Sequence, residues 1–244
     1  KKAFKIALVV ATIFSLGQLA SGHKSADGVA VNQPAKLAAM EGHFEKDAPA
    51  DLYLFGWVDK ENQEVQGLKI PGGLSFLVDF DFGTPIKGLN NFEEKNRPPQ
   101  VNAIFQFYHF MVAIGMTLIF LTLYAVFQWR RGKLFTDRKL LWAFVFASIL
   151  PQIANQIGWF TAEMGRQPWV VYNHLRTSDA LSQTVSANQV LFSLILFFSI
   201  YALLFVLFVY MLNKKIMIGP KDDDAGDQRP FQKEITKAVA GKNK

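Results

Sequence analysis

The 244-residue chain contains no cysteine. A disulfide framework, a thiolate zinc site, an iron–sulfur cluster and a CxxCH haem attachment are all excluded within it. Histidine is scarce. His23, His43, His109 and His174 are the whole supply, and they form no HxxH or HExxH pattern. Any metal or haem held by this chain must draw its ligands from His, Met, Asp or Glu. Charged residues make up only 19% of the chain, and their +6 excess is unevenly placed.

Apolar residues are abundant instead, at 50%, with 23 Phe. They do not alternate with polar residues at period 2 or 3.6, as a soluble chain of this length requires. They come in four runs: about Ala3–Ala20, Ala103–Trp129, Leu140–Phe160 and Val190–Leu212. Each is near the roughly 20 residues that a membrane-spanning helix needs. Inside lipid the backbone must satisfy its own hydrogen bonds, so each run reads as a helix. The first has a rival reading, because KKAFK, an apolar core and then ASGHKSA also resemble a secretory signal peptide.

Charge sets the orientation. The N-terminal tip carries Lys1, Lys2 and Lys5. Segment 22–100 holds 8 Lys/Arg against 12 Asp/Glu, and 130–139 holds 5 against 1. Segment 162–187 is neutral, and the tail from 213 holds 8 against 5. Under the positive-inside rule, the N-terminus, 130–139 and the tail are cytoplasmic. The predicted fold class is an all-α integral membrane protein. Its four transmembrane helices lie at 1–21, 102–129, 140–163 and 188–212. A long outward loop (22–101), a cytoplasmic loop (130–139), an outer loop (164–187) and a cytoplasmic tail (213–244) complete it.

The third run is the most polar. Gln152, Gln156, Trp159 and Glu163 fall within roughly 60° of one another on a helix. This stripe ends in a carboxylate and must face protein, water or a bound group. Gln152, Asn155 and Gln156 also suit interhelical hydrogen bonding, and Glu163 could simply pair with Arg166. Pro151 is expected to kink this helix. In the second run, His109 and Met111 point to opposite sides, about 200° apart. Gly115, one turn past Met111, would let a flat ring approach the backbone. By default a lone Met is packing and a lone His is hydrogen-bonded structure. The fourth run reads as lipid-facing scaffold.

Segment 22–100 opens with a stretch expected to be flexible, SGHKSADG. Leu37, Met40 and Phe44 predict a short amphipathic helix within 34–46. Residues 67–88 read as turns and short pieces, and 220–227 (PKDDDAGD) as solvated. On an ideal helix Lys36 and Glu41 would stand about 140° apart.

Several stretches together resemble subunit I of the cytochrome bd quinol oxidases. They are GWFTAEMGRQPW at 158–169, KLAAME at 36–41, FYHFMVAIG at 107–115, IPGGLSFLVDFDF at 70–82 and IKGLNNF at 86–92. The resemblance covers most of 1–215. It implies that the first run is a transmembrane helix and that 22–101 is a quinol-binding loop (Q-loop-like). Met111 would be an axial ligand of a low-spin haem b. Glu163 would ligate one of two high-spin haems, b or d. Trp159 would lie between haems, and Arg166 would meet propionates. Lys36 and Glu41 would act on quinol, Glu41 accepting its proton. His109 stands where some members carry Arg beside the low-spin haem. The implied reaction oxidises quinol at the outer face and reduces O2 to water, separating charge without a pump. The opposing His ligands and acidic proton-path residues of the family are not in this sequence. The chain is therefore expected to be a C-terminal portion or one polypeptide of a split subunit. Its implied partners are the N-terminal helices of subunit I, subunit II, quinol, O2 and membrane lipid, with no nucleic acid. The implied location is the plasma membrane of a bacterium or archaeon. A non-redox scaffold or transporter half with an extracytoplasmic domain is the competing reading.

Overall fold

A computed structural model describes residues 1–182 and 184–218. It divides into two units, 1–181 and the residues from 182 onward. Among the described residues, four helical stretches are long and apolar enough to cross a membrane: Lys2–Asn32, Glu94–Arg130, Arg138–Gly165 and Ala187–Ile218.

The first unit opens with α1 (Lys2–Asn32). The helix continues through the stretch expected to be flexible. Its last turn is held because Val29 and Ala30 pack on the apolar clusters of the following loop. Helix α2 (Pro34–Glu41) follows at once, with Pro in its first turn, where the missing N–H costs nothing. It stops short of Phe44, because Gly42 adopts φ +65 and the His43 N–H returns to Ala38 O at 2.9 Å. Only glycine fits there: a Cβ would lie 2.5 Å from Val65 Cγ2.

The chain is mostly helical, and short strands occur in the connection between α2 and the next long helix. That connection contains β1 (Ala48–Pro49), the hairpin β2 (Leu52–Asp59) and β3 (Glu64–Ile70), α3 (Gly73–Asp79) and β4 (Pro85–Ile86). β1 pairs with β4 and β2 with β3, both antiparallel. The hairpin turns on Asp59, whose Oδ1 accepts the N–H groups of Glu61 and Asn62. Gly56 faces Gly67 across the ladder. A Cβ on Gly67 would meet Phe55 O at 2.2 Å, so this close approach requires glycine.

Helix α4 (Val101–Arg130) carries a polar stripe that answers the hairpin. β2 is paired on one edge only. Its other edge meets Asn102, Gln106 and His109, spaced i, i+4, i+7. Asn102 Oδ1 accepts the Val58 N–H at 3.1 Å. Gln106 Nε2 donates to Gly56 O at 2.7 Å, and His109 Nε2 lies 2.8 Å from Tyr53 O. An open strand edge is thereby satisfied by side chains of a helix. Below it, Val58, Leu89, Val101, Ile104 and Phe105 close a core with Ala38, Ala39 and Met40 of α2. At its far end α4 packs Ala125 against Leu8, Leu134 and Leu140.

The third apolar run is one helical stretch, Arg138–Gly165, interrupted at 148–149 into α5 (Arg138–Ala147) and α6 (Leu150–Gly165), the break falling just before Pro151. Asp137 caps α5 by accepting the Leu140 N–H. Pro151 sits in the first turn of α6, and Ser148 and Ile149 keep helical backbone angles ahead of it, so the helical path is broken locally where the proline N–H is missing. Beyond α6, β5 (Trp169–Val171) and β6 (Leu175–Arg176) pair. Arg176 joins this segment to Asn96 and lies over the Trp169 ring at 5.0 Å.

Among its described residues, the second unit carries one helix, α7 (Ala187–Ile218), with its side chains exposed throughout. The stretch 220–227 read as solvated lies outside the described residues.

Gly42→Ala is expected to destabilise the protein by on the order of 1–3 kcal/mol, from strain at positive φ plus the Val65 clash. Gly28→Ala, in open space within α1, is expected to be neutral or slightly stabilising. Thermal unfolding in detergent checks both. Equal midpoints for the two variants would contradict the assigned turn.

Candidate functional site

Helices α4 and α6 pack side by side in the first unit, with the Phe107 and Phe160 rings 5.7 Å apart. At their contact, the Met111 sulfur stands 2.7 Å from where a Cβ on Gly158 would be. Gly158 therefore makes room for the thioether. Trp159 is the next residue, 62% exposed. Gln152, Asn155 and Gln156 are exposed on the same helix. A row of amides and an indole left bare on an apolar helix cannot end against acyl chains.

One turn beyond Trp159, Glu163 forms an ion pair with Arg166. Arg166 also donates to Val170 O, while its Nε is buried with no partner. The stem of Lys36 crosses Gly165, with Cγ 3.0 Å from a Cβ built there. Burial pushes the Lys36 ammonium down, Glu163 opposes that, and Arg166 adds to it. Lys36 thus belongs to the Glu163–Arg166 group.

Glu41 lies apart from Lys36, at the other end of α2. It is only 1% exposed, among Ala38, Ala39, Met40 and Phe105. Burial pushes its carboxyl up to about 8, and the nearby Tyr108 hydroxyl pulls the other way. Its Oε2 has no partner. Tyr108 escaped the sequence reading. The burial of Glu41 was hidden too, because KLAAME holds two charges and lies in a loop.

His109 joins neither group. Nδ1 lies 2.9 Å from Phe105 O and Nε2 faces Tyr53 O, so both ring nitrogens are engaged by backbone carbonyls. The ring stacks on Phe105 at 3.9 Å. The side chain fastens β2 to α4, while Met111 points to α6.

A cleft of about 410 Å3, lined by residues including Lys60, Lys95, Arg97 and Pro168, contains none of the candidate side chains. Among the described residues, no three His, Asp or Glu stand together to hold a bare metal ion. Met111 and Glu163 instead offer single donors on adjacent helices. That donor set fits iron that arrives with four porphyrin nitrogens and needs only axial ligands. The place left by the missing Cβ of Gly158 is filled by the thioether itself; the orphaned Arg166 Nε, a ready propionate donor, agrees with such a group.

The fold defines a class, a mostly helical protein whose described residues include four stretches long and apolar enough to cross a membrane, with a buried carboxyl in the segment between the first two. The chain belongs to the cytochrome bd terminal oxidase subunit I family, whose sequence profile matches residues 1–220. It is 30% identical over 254 residues to cytochrome bd ubiquinol oxidase subunit 1 of Bacillus subtilis, covering 98% of this chain and 54% of that protein. It is 28% identical over 285 residues to cytochrome bd-II ubiquinol oxidase subunit 1 of Escherichia coli, covering 90% and 55%. Among solved structures, the bd oxidase from Geobacillus thermodenitrificans superposes with a TM-score of 0.74 at 31% identity, covering 90% of this chain and 50% of that one. The chain spans about half the length of the curated relatives it matches.

The raised Glu41 value has a consequence for stability. The folded state keeps a proton that the unfolded chain releases above about 4.5. Stability contributed by Glu41 is therefore complete below pH 4.5, falls as pH rises toward 8 and levels off beyond. Unfolding midpoints measured in detergent between pH 5 and 8 should decline less steeply in Glu41→Gln than in the parent. Parallel declines would place Glu41 in a solvated site.

Proposed function

We propose that this chain supplies the quinol-oxidising loop and two axial haem ligands of a cytochrome bd-type quinol:O2 oxidoreductase. The observation that carries the proposal is the seating of the Met111 sulfur against Gly158, beside the exposed Trp159 and one helix with Glu163.

Met111 would hold a low-spin haem b, and Glu163 a high-spin haem, b or d. Such groups supply one-electron transfer and O2 reduction when bound. The chain's own residues orient and tune them. A thioether ligand favours the reduced state, which suits an electron entry point. Arg166 fixes the Glu163 carboxylate and, with its free Nε, is placed to meet a propionate. Lys36 adds positive charge at the same place rather than at Glu41. Its proposed action is therefore on the charge around the Glu163 ligand, and this revises a direct role on quinol. His109 contributes to the site by anchoring the loop to α4.

Glu41 would take the proton of a quinol hydroxyl. A base whose value lies near the working pH is well matched to that task. Because the carboxyl is buried, substrate reaches it only when α2 is displaced locally from α4. The loop 22–101 is proposed to lie outside the membrane, with the N- and C-termini inside. Protons from quinol then leave outside, and charge is separated without a pump. Subunit II and the N-terminal helices of subunit I are the proposed partners.

Met111→Leu is expected to remove the low-spin haem spectrum, and Glu163→Ala to perturb a high-spin signal, in the purified complex. Difference spectra with dithionite check this. Unchanged spectra in both variants would favour the scaffold reading.

A further inference from the structure

The segment between α2 and α4 carries an apolar surface that its core does not use. At the base of the hairpin, Phe55, Leu68 and Ile70 are exposed, Phe55 by 65% and opposite Leu68 in the ladder. Helix α3 continues this surface. It turns Leu74 inward, onto Leu37, Ala50 and Ile86, and leaves Phe76 and Phe80 outside. Phe82, also exposed, stacks on Phe76 at 4.6 Å, and Phe80 meets Phe76 edge-on at 5.8 Å. Gly73 seats the start of α3 against Leu52 and Ile70, so the ring cluster adjoins the hairpin base. The charges beside the rings are engaged by the loop itself. Asp51 pairs with Lys69 and accepts the Gly72 N–H, Asp79 accepts the Thr84 hydroxyl, and Asp81 accepts the Gly83 N–H. A contiguous bare apolar surface of this kind marks a place of contact.

Two helices give its height. Lys5 of α1 stands over the Trp129 ring of α4 at 5.1 Å, so these ends of the two helices are level. From Lys5 to His23, α1 rises about 27 Å, and the His23 ring there meets Phe80 at 6.2 Å. From Trp129 back to His109, α4 rises about 30 Å, and His109 Nε2 there lies 2.8 Å from Tyr53 O at the hairpin base. Both helices thus reach this surface at the far edge of a hydrocarbon layer, which is roughly 30 Å thick. β2 then leads away from that edge, because Gly56 and Val58 meet Gln106 and Asn102, successively farther along α4. The charged turn at 59–64 is carried clear of it.

We infer that the Phe76–Phe80–Phe82 cluster and the hairpin base are seated in the outer leaflet of the bilayer, where headgroups meet acyl chains. The partner of this surface is lipid. The inference rests on the outward placement of the loop proposed above. Aromatic rings are favoured at this level, and the aspartates beside them keep the seat shallow. The segment that carries Glu41 is then tied to the membrane as well as to α4, facing the layer from which an apolar substrate arrives.

The test uses the complete oxidase complex reconstituted in phosphatidylcholine vesicles. Phe80→Cys, Phe55→Cys and Glu61→Cys, each first checked for parent haem content, carry a thiol-linked fluorophore. This chain has no other cysteine, and the parent complex treated the same way gives the background. Phosphatidylcholine brominated near the headgroup end of its acyl chains should quench the probes at 80 and 55 several-fold more than the probe at 61. Aqueous iodide on both faces should do the reverse. Probes at 80 and 55 that iodide quenches as strongly as the probe at 61, and that brominated lipid leaves untouched, would overturn the inference. Probes shielded from both quenchers would assign the surface to another protein chain and overturn it as well. A membrane-impermeant maleimide should label Glu61→Cys from outside intact cells. Labelling only in inverted vesicles would remove the outward placement of the loop and the inference with it. Loss of lipid quenching with outside labelling retained would overturn the inference alone.

Discussion

The unpaired edge of β2 is the feature on which the arrangement depends. A strand with one bare edge must give its backbone groups to water, to another strand or to side chains. Here α4 supplies the side chains, through Asn102, Gln106 and His109. Each bond contributes only about 1 kcal/mol net. Their value is geometric, because three points along one helix stripe fix the loop in register on α4. With the hairpin docked, α2 is pressed onto the same helix, and Glu41 is carried to Tyr108. On its other side α4 meets α6 at Gly158. A single helix therefore aligns the loop carboxyl with the helix pair that holds Met111 and Glu163.

The two ionisable clusters are built on opposite physical terms. Glu41 is sealed in an apolar core with half its carboxyl unpartnered, an arrangement that favours the neutral acid. Glu163, Arg166 and Lys36 form a mixed-charge group, partly open, in which each cation limits the cost of the carboxylate. The first environment suits a group that gains and loses a proton. The second holds a carboxylate between cations in a partly open place. Lys36 and Glu41 share one short helix, yet they serve different clusters because they leave α2 from opposite ends and on different sides.

Much of this was legible in the sequence, for reasons that differ by element. The four long apolar stretches could be read because lipid demands unbroken runs. The stripe from Gln152 to Glu163 could be read because polar groups in such a run are few. Pro151 marked a real break in the third stretch, because a missing N–H interrupts the helical ladder wherever it falls. The hairpin was not legible. Its residues expose apolar side chains such as Phe55 and Trp57 and pair Gly56 with Gly67, so no alternation marks it. The end of α1 was hidden by its glycines and polar residues, and it is held by tertiary contacts through Val29 and Ala30. Tyr108 and the stripe Asn102–Gln106–His109 answer partners distant in sequence. His109 read alone could be assigned only by default or by resemblance.

An electron cryo-microscopy map of the complete oxidase containing this chain tests the central claim most directly. The account expects α4 to be shared: an iron bonded to the Met111 sulfur on the α6 side, and α2 with the hairpin docked on the loop side through Asn102, Gln106 and His109. A map in which α2 and the hairpin dock away from α4, or in which Met111 touches only side chains, would contradict it.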